Sequence, residues 1–124
     1  MLGDCDDFRG IDWPVEVRGD IELSDCDLRG AALPPRVGGN LYLRECDLRR
    51  AILPTEVGGD ADLSDSLLRR ATLPEDVGGD LYLNGCDLKG IILSTGVCGI
   101  LHLEGCGHLH DFVIPPRMRV KRDR

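Results

Sequence analysis

Apolar and polar positions along the chain fall into a phrase that returns every twenty residues. Leu41-Tyr42-Leu43 reads apolar, other, apolar, and it recurs as Ile21-Glu22-Leu23, Ala61-Asp62-Leu63, Leu81-Tyr82-Leu83 and Leu101-His102-Leu103. Period-two alternation predicts a short strand whose outer two side chains point to one face. Five residues after Leu43 comes Leu48, matched by Leu28, Leu68 and Leu88. Ala51 and Leu53 follow, matched by Ala31 and Leu33, Ala71 and Leu73, Ile91 and Leu93, and they supply the rest of an inward wall. Leu33-Pro34, Leu53-Pro54 and Leu73-Pro74 keep the same spacing, as do Val37-Gly38-Gly39, Val57-Gly58-Gly59 and Val77-Gly78-Gly79. A fixed period of this length predicts a solenoid, in which one repeat is one coil that cannot bury its apolar side alone. The expected fold is therefore a repeat solenoid, mainly β, of about six coils over residues 1–118. Residues 119–124 are expected to form a basic C-terminal tail.

Each part of the coil has a chemical reason. Proline cannot donate to a ladder, so Pro34, Pro54 and Pro74 belong on the return path rather than in a sheet. The Gly-Gly pair before the strand fits a tight corner or a close backbone approach. No segment leaves room for a long helix, and the return arc should be extended or 3₁₀-like. Successive strands should pair in parallel at about 4.8 Å, so that equivalent residues stack into columns.

The stretch Leu41-x-Leu43-x-x-Cys46-x-Leu48, repeated as Leu81-x-Leu83-x-x-Cys86-x-Leu88, resembles the core motif of the leucine-rich-repeat family, and the Leu-Pro that follows is similar to its short bacterial types. The resemblance covers residues 2–118 and implies a right-handed coil with a short parallel sheet. One departure stands out: where the family places a leucine three residues before Leu41, this chain has Gly38. A right-handed parallel β-helix of short coils stays open as the alternative. Leu2-Gly3-Asp4-Cys5 echoes Leu23-Ser24-Asp25-Cys26, and Ile114-Pro115-Pro116-Arg117-Met118 echoes Leu33-Pro34-Pro35-Arg36-Val37. Both ends thus cut into the repeat without a legible cap, which raises end-to-end self-association, or a place within a larger chain, as expectations.

Composition narrows the picture further. Of 124 residues, 42% are hydrophobic but only 4% aromatic, so the core must be aliphatic. The formal net charge is −7, and five of the 15 basic residues lie in Arg117 to Arg124. An acidic body argues against nucleic acid as the main ligand, because phosphate binding depends on a cationic surface. No signal peptide and no apolar run of membrane-spanning length is visible, so a cytoplasmic protein without membrane contact is expected.

Cys26, Cys46, Cys86 and Cys106 share one repeat position, Cys5 joins them after a one-residue insertion, and Ser66 takes the place in the third full coil. The expectation is a reduced, inward-facing ladder, since free cysteine is among the most buried residue types. Cys98 replaces the first glycine of a corner pair and is expected to be exposed. No C-x-x-C pair is present. His102, Cys106, His108 and His110 lie close in sequence and are of the type that binds zinc. Because His102 should point out of the sheet while Cys106 points in, surface histidines are the expected reading, with no metal and no cofactor.

Function should sit where side chains leave the strand. Glu22, Tyr42, Asp62, Tyr82 and His102 occupy the strand centre, flanked by Asp60, Asp80, Arg44 and Asn84. In leucine-rich repeats this is the usual partner surface, which the resemblance implies. Tyrosine suits such a surface because it offers large area at low entropic cost. The expected function is a non-enzymatic protein–protein interaction or scaffold module. Two alternatives stay open: a polysaccharide-active or Ca²⁺-binding β-helix using Asp60, Asp62 and Asp80, and a self-assembling structural solenoid. The column of Arg29, Arg49, Arg69 and Lys89, with Arg50 and Arg70, should lie on another face as a solvated stripe, or pair with acidic faces of other molecules.

Overall fold

The computed structural model describes residues 14–91, 93, 96–107, 114 and 118–121. Its strands in chain order are β1 Glu16–Val17, β2 Ile21–Glu22, β3 Arg36–Val37, β4 Leu41–Tyr42, β5 Glu56–Val57, β6 Ala61–Asp62, β7 Asp76–Val77, β8 Leu81–Tyr82, β9 Gly96–Val97, β10 Ile100–His102 and β11 Arg119–Lys121. They assemble into two parallel sheets, one of six strands in the order β11-β10-β8-β6-β4-β2 and one of five in the order β1-β3-β5-β7-β9. The register is one repeat per rung, as in Leu41↔Ala61 and Ala61↔Leu81. Isolated parallel bridges make two further ladders, Asp27↔Asp47↔Leu67 and Ala32↔Ile52↔Thr72. Each twenty-residue coil therefore has four sides of five residues. In the second coil the first side is 41–45, the second 46–50, the third 51–55 and the fourth 56–60.

This is the parallel-strand solenoid that the period predicts, with no helix among the described residues. It differs from a coil with one short sheet: the fourth side carries a sheet of its own, as a β-helix does. Among the described residues, the return arc consists of short extended segments joined by turns, without 3₁₀ helix. Pro34, Pro54 and Pro74 sit between the third-side bridges and the fourth-side strands, where no ladder needs their missing N–H. Arg119–Lys121, expected in a solvated basic tail, instead forms β11 and pairs with β10 in the register Leu101↔Val120.

The corner between the second and third sides shows how sequence sets the turn. The N–H of Ala51 donates to the carbonyl of Leu48 at 3.0 Å, while Arg50 takes φ 62°. A bond from residue i+3 back to residue i, with a left-handed third residue, is the pattern of a type II turn. The same turn recurs at Gly30 and Gly90, where glycine meets the requirement without strain. The Gly-Gly corner has a different reason. A Cβ at Gly58 would run into the carbonyl oxygen of Gly38, and one at Gly59 into Oδ1 of Asn40. Neighbouring coils approach closely there, and a side chain at these glycines would have to displace backbone or Asn40; in the last such corner Cys98 takes the first position.

The interior is a stack of aliphatic layers. Leu41, Leu43, Leu48, Ala51, Leu53 and Val57 of one coil are all buried, and the flanking coils repeat the set. At about 2 kcal/mol for each fully buried leucine, this layer is the main favourable term in holding a coil against its neighbours.

Candidate functional site

The six-stranded sheet places Glu22, Tyr42, Asp62, Tyr82 and His102 directly above one another on its outer face. Lys121 follows on the last rung. Asp60 and Asp80 stand at one edge of this side and Arg44 and Asn84 at the other. All nine residues expected at the partner surface are thus brought onto one side of the solenoid.

The rings are held in place before any partner arrives. Tyr82 and His102 stack with centroids 4.2 Å apart and planes 9° from parallel. His102 Nε2 lies 3.0 Å from Asp80 Oδ2. A carboxylate can only accept, so Nε2 carries the proton and the tautomer is fixed. The Tyr82 hydroxyl reaches the same oxygen at 3.4 Å, and the Asn40 side-chain amide donates to the Tyr42 hydroxyl at 3.0 Å. His102 is a correction to the sequence expectation. It lies on the outer face as foreseen, but Tyr82 and Asp80 bury it to 9% exposure, so it is not a free surface histidine. His108 and His110 lie outside the described residues.

The acidic positions are committed to the scaffold. Oδ1 of Asp20, Asn40, Asp60 and Asp80 each accepts the backbone N–H of the equivalent residue one coil on, at 2.7, 2.8, 2.8 and 2.8 Å. Asp and Asn serve equally here because the bond needs one carbonyl-type oxygen and no charge. Asp62 Oδ1 accepts the N–H of Ser64 at 3.1 Å, and its Oδ2 lies 3.5 Å from Arg44 Nε. Ser64 itself is buried. Asn84 repeats the coil-to-coil bond at the opposite edge, accepting from Glu104 N–H at 2.9 Å. The His102 hydrogen bond, and then the Ile100 amide, hold the Asp80 carboxyl below its ordinary range. Burial, and then the Asp80 charge, push the Tyr82 hydroxyl up. Among the described residues, no group of three or more His, Cys, Asp or Glu side chains is placed to hold a metal ion.

The cysteine column faces inward as expected, and the structure adds its purpose. Sγ of Cys46, Cys86 and Cys106 donates to the carbonyls of Leu23, Leu63 and Leu83 at 2.6, 3.2 and 3.0 Å. Ser66 Oγ makes the equivalent bond to Leu43 at 2.6 Å and accepts the Cys46 N–H at 3.0 Å. The position therefore takes a small side chain that can donate to a buried carbonyl. Burial pushes the Cys86 thiol up to about 12, which makes it inert as a nucleophile. Cys46, Cys86, Cys98 and Cys106 are free, and Cys98 is exposed. Cys26 is disulfide-bonded, which corrects the expectation of a wholly reduced column. Cys5 lies outside the described residues.

On the second side, sequence reasoning singled out the basic column but not the outward column beside it. That outward column is Asp27, Asp47, Leu67 and Asp87, and Leu67 breaks the pattern with 53% exposure. Asp27 binds the guanidinium of Arg29 two residues on, and Asp47 that of Arg49, at 2.8 and 2.6 Å. Arg69 follows Leu67 and makes no ion pair among the described residues. The signal was present in the sequence: Leu67 stands where Asp27, Asp47 and Asp87 stand in their coils.

Comparison with known families, with curated proteins and with solved structures finds no match for this chain. Among the described residues, no helix is long and apolar enough to cross a membrane.

Proposed function

We propose that the chain is a non-catalytic protein-binding module whose first side docks a protein partner. The observation that carries this reading is the preorganised aromatic column. Tyr82 and His102 are stacked and tied to Asp80, and Tyr42 is tied to Asn40, on a side one strand-length wide. Rings already fixed in one orientation lose little entropy on binding, which is the usual basis of an interface anchor. Glu22, Asp62 and Arg44 add charged groups around the rings and give the surface selectivity. We place neither calcium nor glycan chemistry on Asp60, Asp62 and Asp80, because one oxygen of each is already engaged by a backbone amide.

The test uses the full chain as bait in an extract of its native host, beside the Tyr42→Ala/Tyr82→Ala variant, with melting curves to verify that both fold. Proteins retained by the parent and lost with the variant support the first side as the interface. Identical retention by the two baits removes it.

A further inference from the structure

Two columns of charge run along the edges of the second side, and the scaffold leaves them unmatched. On the edge shared with the first side stand Asp25, Glu45 and Asp65. On the edge shared with the third side stand Arg50 and Arg70, beside Arg29, Arg49 and Arg69, around a shallow depression of about 530 Å³. Asp25, Glu45, Asp65, Arg50 and Arg70 are all of the non-glycine residues with positive φ among the described residues. At equivalent corners Gly30, Gly85, Gly90 and Gly105 take glycine. A non-glycine residue in that conformation costs about 1 kcal/mol or more. The chain accepts this strain five times, always on the two edges of one side and always with a charged residue.

Among the described residues, neither column is neutralised by an ion pair. Arg50, Arg69 and Arg70 make no ion pair among the described residues, whereas Arg29 and Arg49 are held by Asp27 and Asp47. On the acidic edge, a hydrogen bond shared with Asp25, and then the charges of Asp25 and Asp65, raise the Glu45 carboxyl above its usual range. Like charges stacked one rung apart repel, and opposite charges facing each column would relieve both. The nearest source of a matching column is another copy of this chain, because its charges repeat at the same rise.

We propose that the second side is a homodimer interface, in which the Asp25–Glu45–Asp65 edge of each copy meets the Arg50–Arg70 edge of the other. The geometry selects one arrangement. When two copies face each other with solenoid axes running the same way, left and right exchange, and acid meets base along both edges. With axes opposed, acid meets acid and base meets base. The two-fold axis therefore runs parallel to the solenoid axis, and each coil faces its own counterpart. Glu45 then opposes Arg50, Asp65 opposes Arg70, and Leu67 meets Leu67 at the centre, which gives the exposed leucine a place to be buried. Asp27 and Asp47 also face their counterparts, but Arg29 and Arg49 already neutralise them. The side is about 20 Å long at four rungs of 4.8 Å and only one strand wide. Such an area falls short of a permanent interface, so the dimer is weak and depends on salt. The first side stays free for its partner.

Sedimentation of the full chain over a concentration series tests this. Dimer is expected at about 0.05 M salt and monomer at about 0.5 M, where charge pairs are screened. Arg50→Glu/Arg70→Glu makes both edges acidic, and Glu45→Arg/Asp65→Arg makes both edges basic. Each variant alone is expected to be monomeric, and an equimolar mixture is expected to form a one-to-one heterodimer. Glu and Arg already occupy such corners in the parent chain, so the turns accept the exchange. Leu67→Asp introduces the residue found at Asp27, Asp47 and Asp87 and gives Arg69 a carboxylate, so it preserves the fold; it is expected to weaken the dimer about tenfold. A parent chain that is monomeric at low salt overturns the proposal, as does a dimer untouched by Arg50→Glu/Arg70→Glu or by Leu67→Asp. A mixture that fails to associate has the same force.

Discussion

The glycine corner and the arginine corner are built from the same kind of repeat and do opposite things with it. At the glycine corner, Asp20, Asn40, Asp60 and Asp80 turn one oxygen onto the next coil's amide, and a Cβ at Gly39, Gly59, Gly79 or Gly99 would run into that oxygen. At the arginine corner, the space outside Gly90 is open to beyond 4 Å, and Arg50 and Arg70 project without an ion pair among the described residues. A column of identical side chains is thus no guide to function until its hydrogen bonds are traced. In the acidic column, one oxygen of each residue holds a backbone amide of the coil that follows. In the basic column, Arg29 and Arg49 are paired with Asp27 and Asp47, while Arg50, Arg69 and Arg70 make no ion pair among the described residues.

The largest effect should separate the corners by sterics. Gly59→Val drives a side chain into Asn40 and the Gly39 carbonyl and should cost about 3 kcal/mol or more, seen as loss of a cooperative thermal transition. Gly90→Ala meets nothing within 4 Å and bears only its left-handed φ, at about 1 kcal/mol. Equal losses at the two positions would dissolve the distinction.

Next in size is the inward column that both corners share. Ser66→Val removes the donor to Leu43 O and the acceptor for Cys46 N–H, both buried, and should cost about 1–3 kcal/mol in denaturant unfolding. Ser66→Cys should be close to neutral, because Cys46 and Cys86 make the same bond in their own coils.

How much of this was legible in the sequence depends on the residues concerned. The twenty-residue period, the strand triplet, the inward leucines and the shared cysteine column follow from spacing alone, since side chains of equivalent residues must stack in any solenoid. The four-sided coil was harder to see. Ile21, Leu23, Cys26, Leu28, Ala31 and Leu33 mark three sides with inward pairs two apart. The fourth side breaks that rhythm, with Val37 inward and glycines behind it. Alternation put the strand-centre residues Glu22, Tyr42, Asp62, Tyr82 and His102 in one column on the outer face, as the structure has them. The bonding of the flanking residues was not legible, because Asp60 reaching Asp80 N–H depends on the side-chain turn at a corner that only the backbone path defines.

A smaller effect concerns pH. Asp80 has a folded-state pKa below its unfolded one, so its bonds to His102 and the Ile100 amide add stability above the ordinary carboxylate range. That contribution should fade as pH falls through the lowered Asp80 value. Asp80→Asn keeps the amide acceptor and should flatten this part of the melting-temperature profile, whereas an unchanged acid slope would place the linkage elsewhere. The smallest perturbation is chemical: a thiol reagent should label exposed Cys98 in the folded chain and leave Cys46 and Cys86 unmodified.

The most direct measurement is amide hydrogen exchange at Asp60, Asp80 and Ile100 in the parent chain, in Asp60→Asn and in Asp60→Ala. The coil-linking role of the acidic column predicts slow exchange at all three amides in the parent and in Asp60→Asn. In Asp60→Ala, the Asp80 amide alone should lose protection by about tenfold, in keeping with one hydrogen bond of about 1–1.5 kcal/mol. Fast exchange at these amides in the parent, or an Asp80 amide still protected in Asp60→Ala, would contradict it.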